Sequence, residues 1–255
     1  DKIGKYEITN NNPNRRGGNG NVYFVKYNQK NYALKYVVFD SEMKYKRFQR
    51  EIEIMKKIKN KVTGIMKIYD SYISEKYEEN KSFGWYVMDI AKTLNINEIK
   101  KYHITKIIKN VLEIAKILKQ LHRKKISHRD IKPENILCID NKWYLSDFGL
   151  VDYPNAENIT IDEKNRALGP RMTIAPEFKR NPDTSEGTKA DIYSLAKTLW
   201  IFLTGDKNCF DGQYNFRDKK ISIRNYIKNK PLGLIEQLLF RATENSPENR
   251  IDIDE

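Results

Sequence analysis

Ile126-Ser127-His128-Arg129-Asp130-Ile131-Lys132-Pro133-Glu134-Asn135 is the stretch around which the rest of this 255-residue chain is organised. It is polar and charged, between an apolar-periodic segment that ends at His122 and the apolar run Ile136-Leu137-Cys138-Ile139. Asp130 can accept a proton from a hydroxyl, Lys132 can neutralise phosphate charge, and Asn135 offers an amide oxygen to a hard cation such as Mg²⁺. Together these residues read as a loop for phosphoryl transfer.

Working outward, Asp147-Phe148-Gly149, Ala175-Pro176-Glu177 and Asp191-Ile192-Tyr193-Ser194 follow the loop. A glycine-rich turn from Arg15 to Val22, the tripeptide Ala33-Leu34-Lys35 and Glu51 precede it. In this order the motifs resemble the catalytic domain of eukaryotic-type (Hanks-type) Ser/Thr protein kinases, and the resemblance spans nearly the whole chain. It implies an α+β, bilobal fold. An N-terminal lobe at 1–88 would carry a five-stranded antiparallel sheet and one main helix, 89–92 would be the hinge, and 93–255 a mostly helical C-terminal lobe.

Composition agrees with an intracellular, reduced protein. Two cysteines, Cys138 and Cys209, are too few for a disulfide framework and lack metal-ligand spacing with the three histidines. No apolar run approaches the roughly 18–20 residues of a membrane span, and Asp1-Lys2-Ile3-Gly4 is no signal peptide, so the reading is cytoplasmic. The net charge of +13 comes from lysines spread along every segment and mixed with glutamate, so nucleic acid is not read as the main partner. A basic groove for an acidic protein partner stays open, and oligomeric state is not legible.

Taken in order, Tyr6 to Thr9, Val22 to Tyr27 and Tyr32 to Phe39 read as strands, with Asn28-Gln29-Lys30-Asn31 as a hairpin connection. Asp40 or Ser41 caps a helix from about Glu42 to Asn60, with Phe48, Ile52, Met55 and Ile58 on one face. Ile65 to Ile73 and Phe83 to Ile90 complete the sheet. Apolar residues recur at helical spacing from Ile104 to His122, and Asp191 to Leu203 is apolar nearly all round apart from Lys197, as in a buried helix. Ile136 to Ile139 and Trp143 to Leu145 flank a turn at Asp140-Asn141-Lys142, a hairpin expected to hold Asn135 and Asp147 at the two edges of one small site.

The resemblance assigns roles to these positions. Asp130 is the base, Lys132 stabilises the transferring phosphoryl, and Asn135 and Asp147 hold Mg²⁺, for which Mn²⁺ could substitute. Lys35 binds ATP phosphates and pairs with Glu51, with Glu53 as the rival partner. Arg15, Gly17, Gly18, Gly20 and Val22 cover the phosphates. Ala33, Met88 and Leu137 line the adenine site, and backbone groups of Asp89 and Ala91 bind the adenine edge. His103, His122 and His128 are read as structural. Arg129 beside Asp130 calls for an anion, supplied by phosphate on Thr160 or Thr173 or by an acid such as Asp162 or Glu163. Arg250 pairs with Glu177.

The chain departs from the family pattern at Arg15, where a glycine is usual, at Pro170, which replaces a threonine, and at Ala196. It also ends five residues after Arg250, so the last helix of the usual fold is absent or cut off. Lys132 favours Ser/Thr acceptors in protein substrates. Glu134 suggests basic residues near the acceptor, whereas Lys164, Arg166, Arg171, Lys179 and Arg180 suggest acidic ones. The alternatives are a pseudokinase or scaffold, motivated by Arg15, Pro170 and the early end, and a small-molecule kinase. The Ala-Pro-Glu segment and Glu177/Arg250 pairing argue against the latter.

Overall fold

The computed structural model describes residues 1–10, 12–17, 20–152, 172–180 and 186–254. Two compact units form: Asp1–Lys92 with Cys138–Gly149, and Thr93–Leu137 with Leu150–Glu255. The division differs from a single cut near residues 88–93 because 138–149 belongs to the first unit. Its backbone explains why, since Leu145 N donates to Gly64 O at 2.9 Å and Met66 N donates to Leu145 O at 3.0 Å.

The first unit is built on an antiparallel sheet in the order β1 (Lys2–Ile3), β2 (Tyr6–Ile8), β4 (Gly20–Tyr27), β5 (Lys30–Val38), β7 (Phe83–Met88), β6 (Asp70–Ile73), with β3 (Arg15–Gly17) also paired to β4. That makes seven strands rather than the expected five. The additions are two short strands: β1 folds back on β2, and the glycine-rich turn is itself a hairpin, with Arg15 opposite Val22. Of the run Ile65 to Ile73 only Asp70–Ile73 joins the ladder; Ile65, Met66 and Ile68 are buried without forming a strand.

Alternation sorts the side chains of this sheet onto two faces. Val25, Leu34, Trp85 and Val87 pack with Tyr6 on one, edged by Tyr23, Tyr32, Tyr36 and Phe83. Ala33, Lys35, Val37, Tyr86 and Met88, all buried, alternate with them and share the other. Helix α1 (Glu42–Ile58) starts at Ser41, whose Oγ accepts from Lys44 N, and buries Phe48, Glu51, Ile52, Ile54, Met55 and Ile58. Ser41 is therefore the cap, not Asp40. β8 (Lys92–Thr93) ends the first stretch, and a hairpin of β9 (Ile136–Ile139) and β10 (Lys142–Leu145) turns through Asp140 and Asn141, both at positive φ.

The second unit holds α2 (Ile96–Ile99), α3 (Ile104–His122), α4 (Pro176–Arg180), α5 (Gly187–Thr204) and α6 (Gly233–Ala242). Helix α3 spans the predicted residues and packs against α5. Helix α5 is buried over nearly its whole length, and begins four residues before Asp191, placing that aspartate one turn inside the helix. No described helix is long and apolar enough to cross a membrane.

Candidate active site

In the first unit the register puts Val22 opposite Lys35 and Lys35 opposite Tyr86, while Ala33 lies opposite Met88. Directly opposed residues present their side chains to the same face, so one surface carries the residues assigned to phosphate and adenine. Lys35 is 9% exposed and Glu51 2%, and Lys35 Nζ donates to Glu51 Oε1 at 3.0 Å and Oε2 at 2.9 Å. Burial alone would lower the Lys35 ammonium, but Glu51, then Tyr86 and Asp147, hold it well above its ordinary range. Burial lifts the Glu51 carboxyl, against the opposing pull of Lys35. The rival Glu53 is exposed.

Gly20 closes the glycine-rich hairpin opposite Gly17 at φ 117°, and a Cβ there would lie 2.6 Å from Val37 Cγ2 and 2.8 Å from Tyr36 O. No other residue fits that corner without distortion. Gly18 lies outside the described residues. Asp89 and Ala91 follow the end of β7 in irregular backbone, where their peptide groups are not committed to the ladder; the Asp89 carboxylate accepts Tyr69 Oη at 2.9 Å. Asp147 sits at φ 63°, a conformation an aspartate tolerates and one that clusters at functional sites. Phe148 beside it is fully buried.

The second unit carries the loop. Asp130 Oδ2 accepts Lys132 Nζ at 2.7 Å and Asn135 Nδ2 at 2.8 Å, and Asn135 Nδ2 also donates to Asp130 O at 2.8 Å. Pro133 opens the single turn Pro133–Asn135 that brings Asn135 back to Asp130. Upstream, Arg129 is held at φ 65°. Asp191, fully buried, makes that conformation affordable, accepting His128 N at 2.8 Å and Arg129 N at 2.7 Å, with His122 Nε2 at 2.9 Å. Asp130 N donates to His128 Nδ1 at 3.3 Å, so His122 and His128 both brace the loop.

Asp152, a residue absent from the sequence-based candidates, is an anionic partner of Arg129: Arg129 Nη2 donates to its Oδ2 at 2.6 Å. Ser127 and Asp152 also exchange backbone hydrogen bonds, each 2.9 Å, which fixes the acid beside the loop. Thr160, Asp162, Glu163 and Pro170 lie outside the described residues, and Thr173 is only 3% exposed. Arg250 is buried and reaches Glu177 through two hydrogen bonds of 2.7 and 3.1 Å, as the pairing required. Two further residues carried no sequence signal. Tyr86 reads as one more aromatic in a strand, and a Cβ on Gly187 would overlap the Ser127 side chain next to the loop.

Of the residues assigned to metal, Asn135 in the second unit offers an amide oxygen and Asp147 in the first a carboxylate oxygen. Each is a hard donor of the kind Mg²⁺ takes, that ion completing its shell with water and phosphate. Among the described residues no three His, Cys, Asp or Glu side chains are grouped to hold a metal unaided.

The fold and these groups define an enzyme of the phosphotransferase class. The chain belongs to the protein kinase family: the protein kinase domain model matches residues 16–252. It is 30% identical over 226 residues to a Clostridium acetobutylicum protein named "Probable serine/threonine-protein kinase", covering 83% of this chain and 32% of that one. It is 28% identical to an Aurora kinase of Schizosaccharomyces pombe, over 99% of this chain and 70% of the relative. A cysteine-rich receptor-like protein kinase of Arabidopsis thaliana is 26% identical, over 91% of this chain and 35% of the relative.

Proposed function

We propose that this chain transfers the γ-phosphoryl group of ATP to serine and threonine hydroxyls of protein substrates, with Mg²⁺ as the preferred ion and Mn²⁺ as a substitute. The observation that carries the reading is the meeting of Lys132 Nζ (2.7 Å) and Asn135 Nδ2 (2.8 Å) on Asp130 Oδ2. Two donors fix that oxygen, leaving Oδ1 to accept the substrate hydroxyl proton. Lys132, beside the same carboxylate, adds positive charge where the phosphoryl group passes. Lys35 binds nucleotide phosphate while Glu51 holds it in place, and the backbone of the Gly17–Gly20 hairpin covers the phosphates. Ala33, Met88 and Leu137 give the adenine an apolar bed, and the peptide groups of Asp89 and Ala91 bind its edge. Asn135 and Asp147 would hold the metal, which supplies charge neutralisation on the phosphate oxygens.

Serine and threonine as acceptors are supported by Lys132 and by the names of the relatives; protein as the substrate class is supported by the Glu177–Arg250 pair. Catalysis on this reading is mostly positioning and charge stabilisation. The test is incubation with Mg²⁺, ATP and a mixed peptide library, followed by mass spectrometry of peptides and protein. Phosphate on Ser and Thr, abolished by a chelator and restored by Mg²⁺ or Mn²⁺, is the expected result, with any modification of Thr160 visible in the same spectra. Phosphate confined to tyrosine, or transfer that survives chelation, would overturn the reading.

A further inference from the structure

Tyr86 of β7 is 3% exposed and lies directly opposite Lys35 in the ladder. Its Oη donates to Glu51 Oε1 at 2.8 Å, the same oxygen that accepts Lys35 Nζ at 3.0 Å. One carboxylate oxygen on α1 is thus gripped from two neighbouring strands. The ring contributes as well: Lys35 Nζ stands 5.3 Å from the Tyr86 centroid and 5.8 Å from that of Phe48, and the two rings stack at 5.6 Å and 19°. Gly84, two residues earlier on the same face, makes this stack fit, because a Cβ there would lie 2.6 Å from Phe48 Cε1. The ammonium therefore lies against a small aromatic wall that Gly84 makes room for and Phe48 ties to α1.

We infer that Tyr86 is a positioning residue for phosphoryl transfer: its hydroxyl holds the Glu51 carboxylate in place while Lys35 turns part of its donor capacity to nucleotide phosphate. The chemistry follows from counting donors. An ammonium has three N–H groups and at least two of its bonding directions are engaged by Glu51 here. When phosphate draws on them, a buried carboxylate with no other donor would be left undersatisfied, at a cost that pulls Lys35 back. The Tyr86 hydroxyl stays with Glu51 throughout. It is also a donor at any working pH, since burial, followed by Glu51, keeps the phenol well above its ordinary range. This role rests on the kinase reading of Lys35.

The test is Tyr86→Phe in the full chain, which keeps the ring and deletes only the hydroxyl, beside Tyr86→Leu, which deletes both. Two readouts are taken: kcat/KM for ATP across pH, and titration of ¹³C-labelled glutamate carboxyls, with the Glu51 signal assigned through Glu51→Gln. Tyr86→Phe is expected to lower kcat/KM for ATP on the order of ten-fold, the worth of about one hydrogen bond to a charged group. The acid limb of the profile and the Glu51 titration should both move to higher pH, because the charged carboxylate loses a donor. A variant within two-fold of wild type whose Glu51 titration is unmoved, with only Tyr86→Leu impaired, would reduce Tyr86 to packing and overturn the proposal. A wild-type chain that transfers no phosphate would overturn the kinase reading instead, and the carboxyl titration still decides whether the hydroxyl holds Glu51.

Discussion

Lys35 of β5 and Lys197 of α5 are both buried beside two aromatic rings, yet the first is met by a carboxylate and the second by backbone carbonyls. Lys197 Nζ donates to Phe210 O at 2.6 Å and Gly212 O at 2.8 Å, under the faces of Phe210 and Tyr193. Burial pushes this ammonium down to about 7, only partly offset by Cys209 and Asp211, and Lys179 adds to the fall. Lys35 is also buried and moves the other way: desolvation lowers it, but Glu51, Tyr86 and Asp147 together outweigh that. Burial therefore does not decide whether a lysine keeps its charge; the partner does. A lysine that must meet phosphate needs an acid behind it. One that only fastens the Phe210–Gly212 segment to α5 can do so with or without its extra proton.

The largest break in this comparison is Glu51→Ala. Removing one member of a buried ion pair strands the other, so destabilisation of about 3–5 kcal/mol in urea unfolding is expected, together with loss of transfer activity. A cost below about 1 kcal/mol would mean that Lys35 does not depend on Glu51. A second test concerns how tightly the second unit is built around its loop. Gly187→Ala places a methyl against Ser127 next to His128, with an expected cost of about 1–3 kcal/mol and a fall in kcat larger than any change in KM for ATP. The smallest effect, and the sharpest for the comparison itself, is pH dependence. Lys197 drops from 10.5 to about 7 on folding, so above pH 7 the unfolded chain binds the proton that the folded chain has given up. Stability must then rise with pH, by at most about 1.4 kcal/mol per pH unit. The window from pH 7 to 9 is the clean one, because Cys209, raised by burial from 9.0 to about 11, opposes the trend at higher pH. Lys197→Met should flatten the rise, and a slope unchanged by the substitution would refute the lowered value.

How far the sequence disclosed this molecule depended on the kind of interaction. Lys35, Glu51, Asp130, Asn135 and Arg250 sit in stretches whose composition or order is informative; the structure pairs Lys35 with Glu51 and Glu177 with Arg250 as expected, and adds the grouping of Asp130 with Lys132 and Asn135. Helix α3 was legible because its apolar period runs unbroken from Ile104 to His122. The two short strands were not, since Lys2–Ile3 and Arg15–Gly17 have too few residues to show alternation and owe their form to the strand they pair with. Ile65 to Ile68 read as strand because burial alone produces the same apolar run. Asp152 carried no sequence signal because only the fold brings it to the loop, through its backbone bridge to Ser127. Tyr86 escaped notice because a hydroxyl on a buried strand looks, in sequence, like any other aromatic.

The central claim is that Asp130 takes the substrate proton while nucleotide binding rests on other residues. It is tested most directly by measuring ATP affinity by titration calorimetry and phosphopeptide formation in parallel, in Mg²⁺, for the wild-type chain and Asp130→Ala. The expected result is ATP affinity within about three-fold of wild type and transfer lowered by at least on the order of 10²-fold, as for loss of a general base. Phosphorylation undiminished in Asp130→Ala would contradict it.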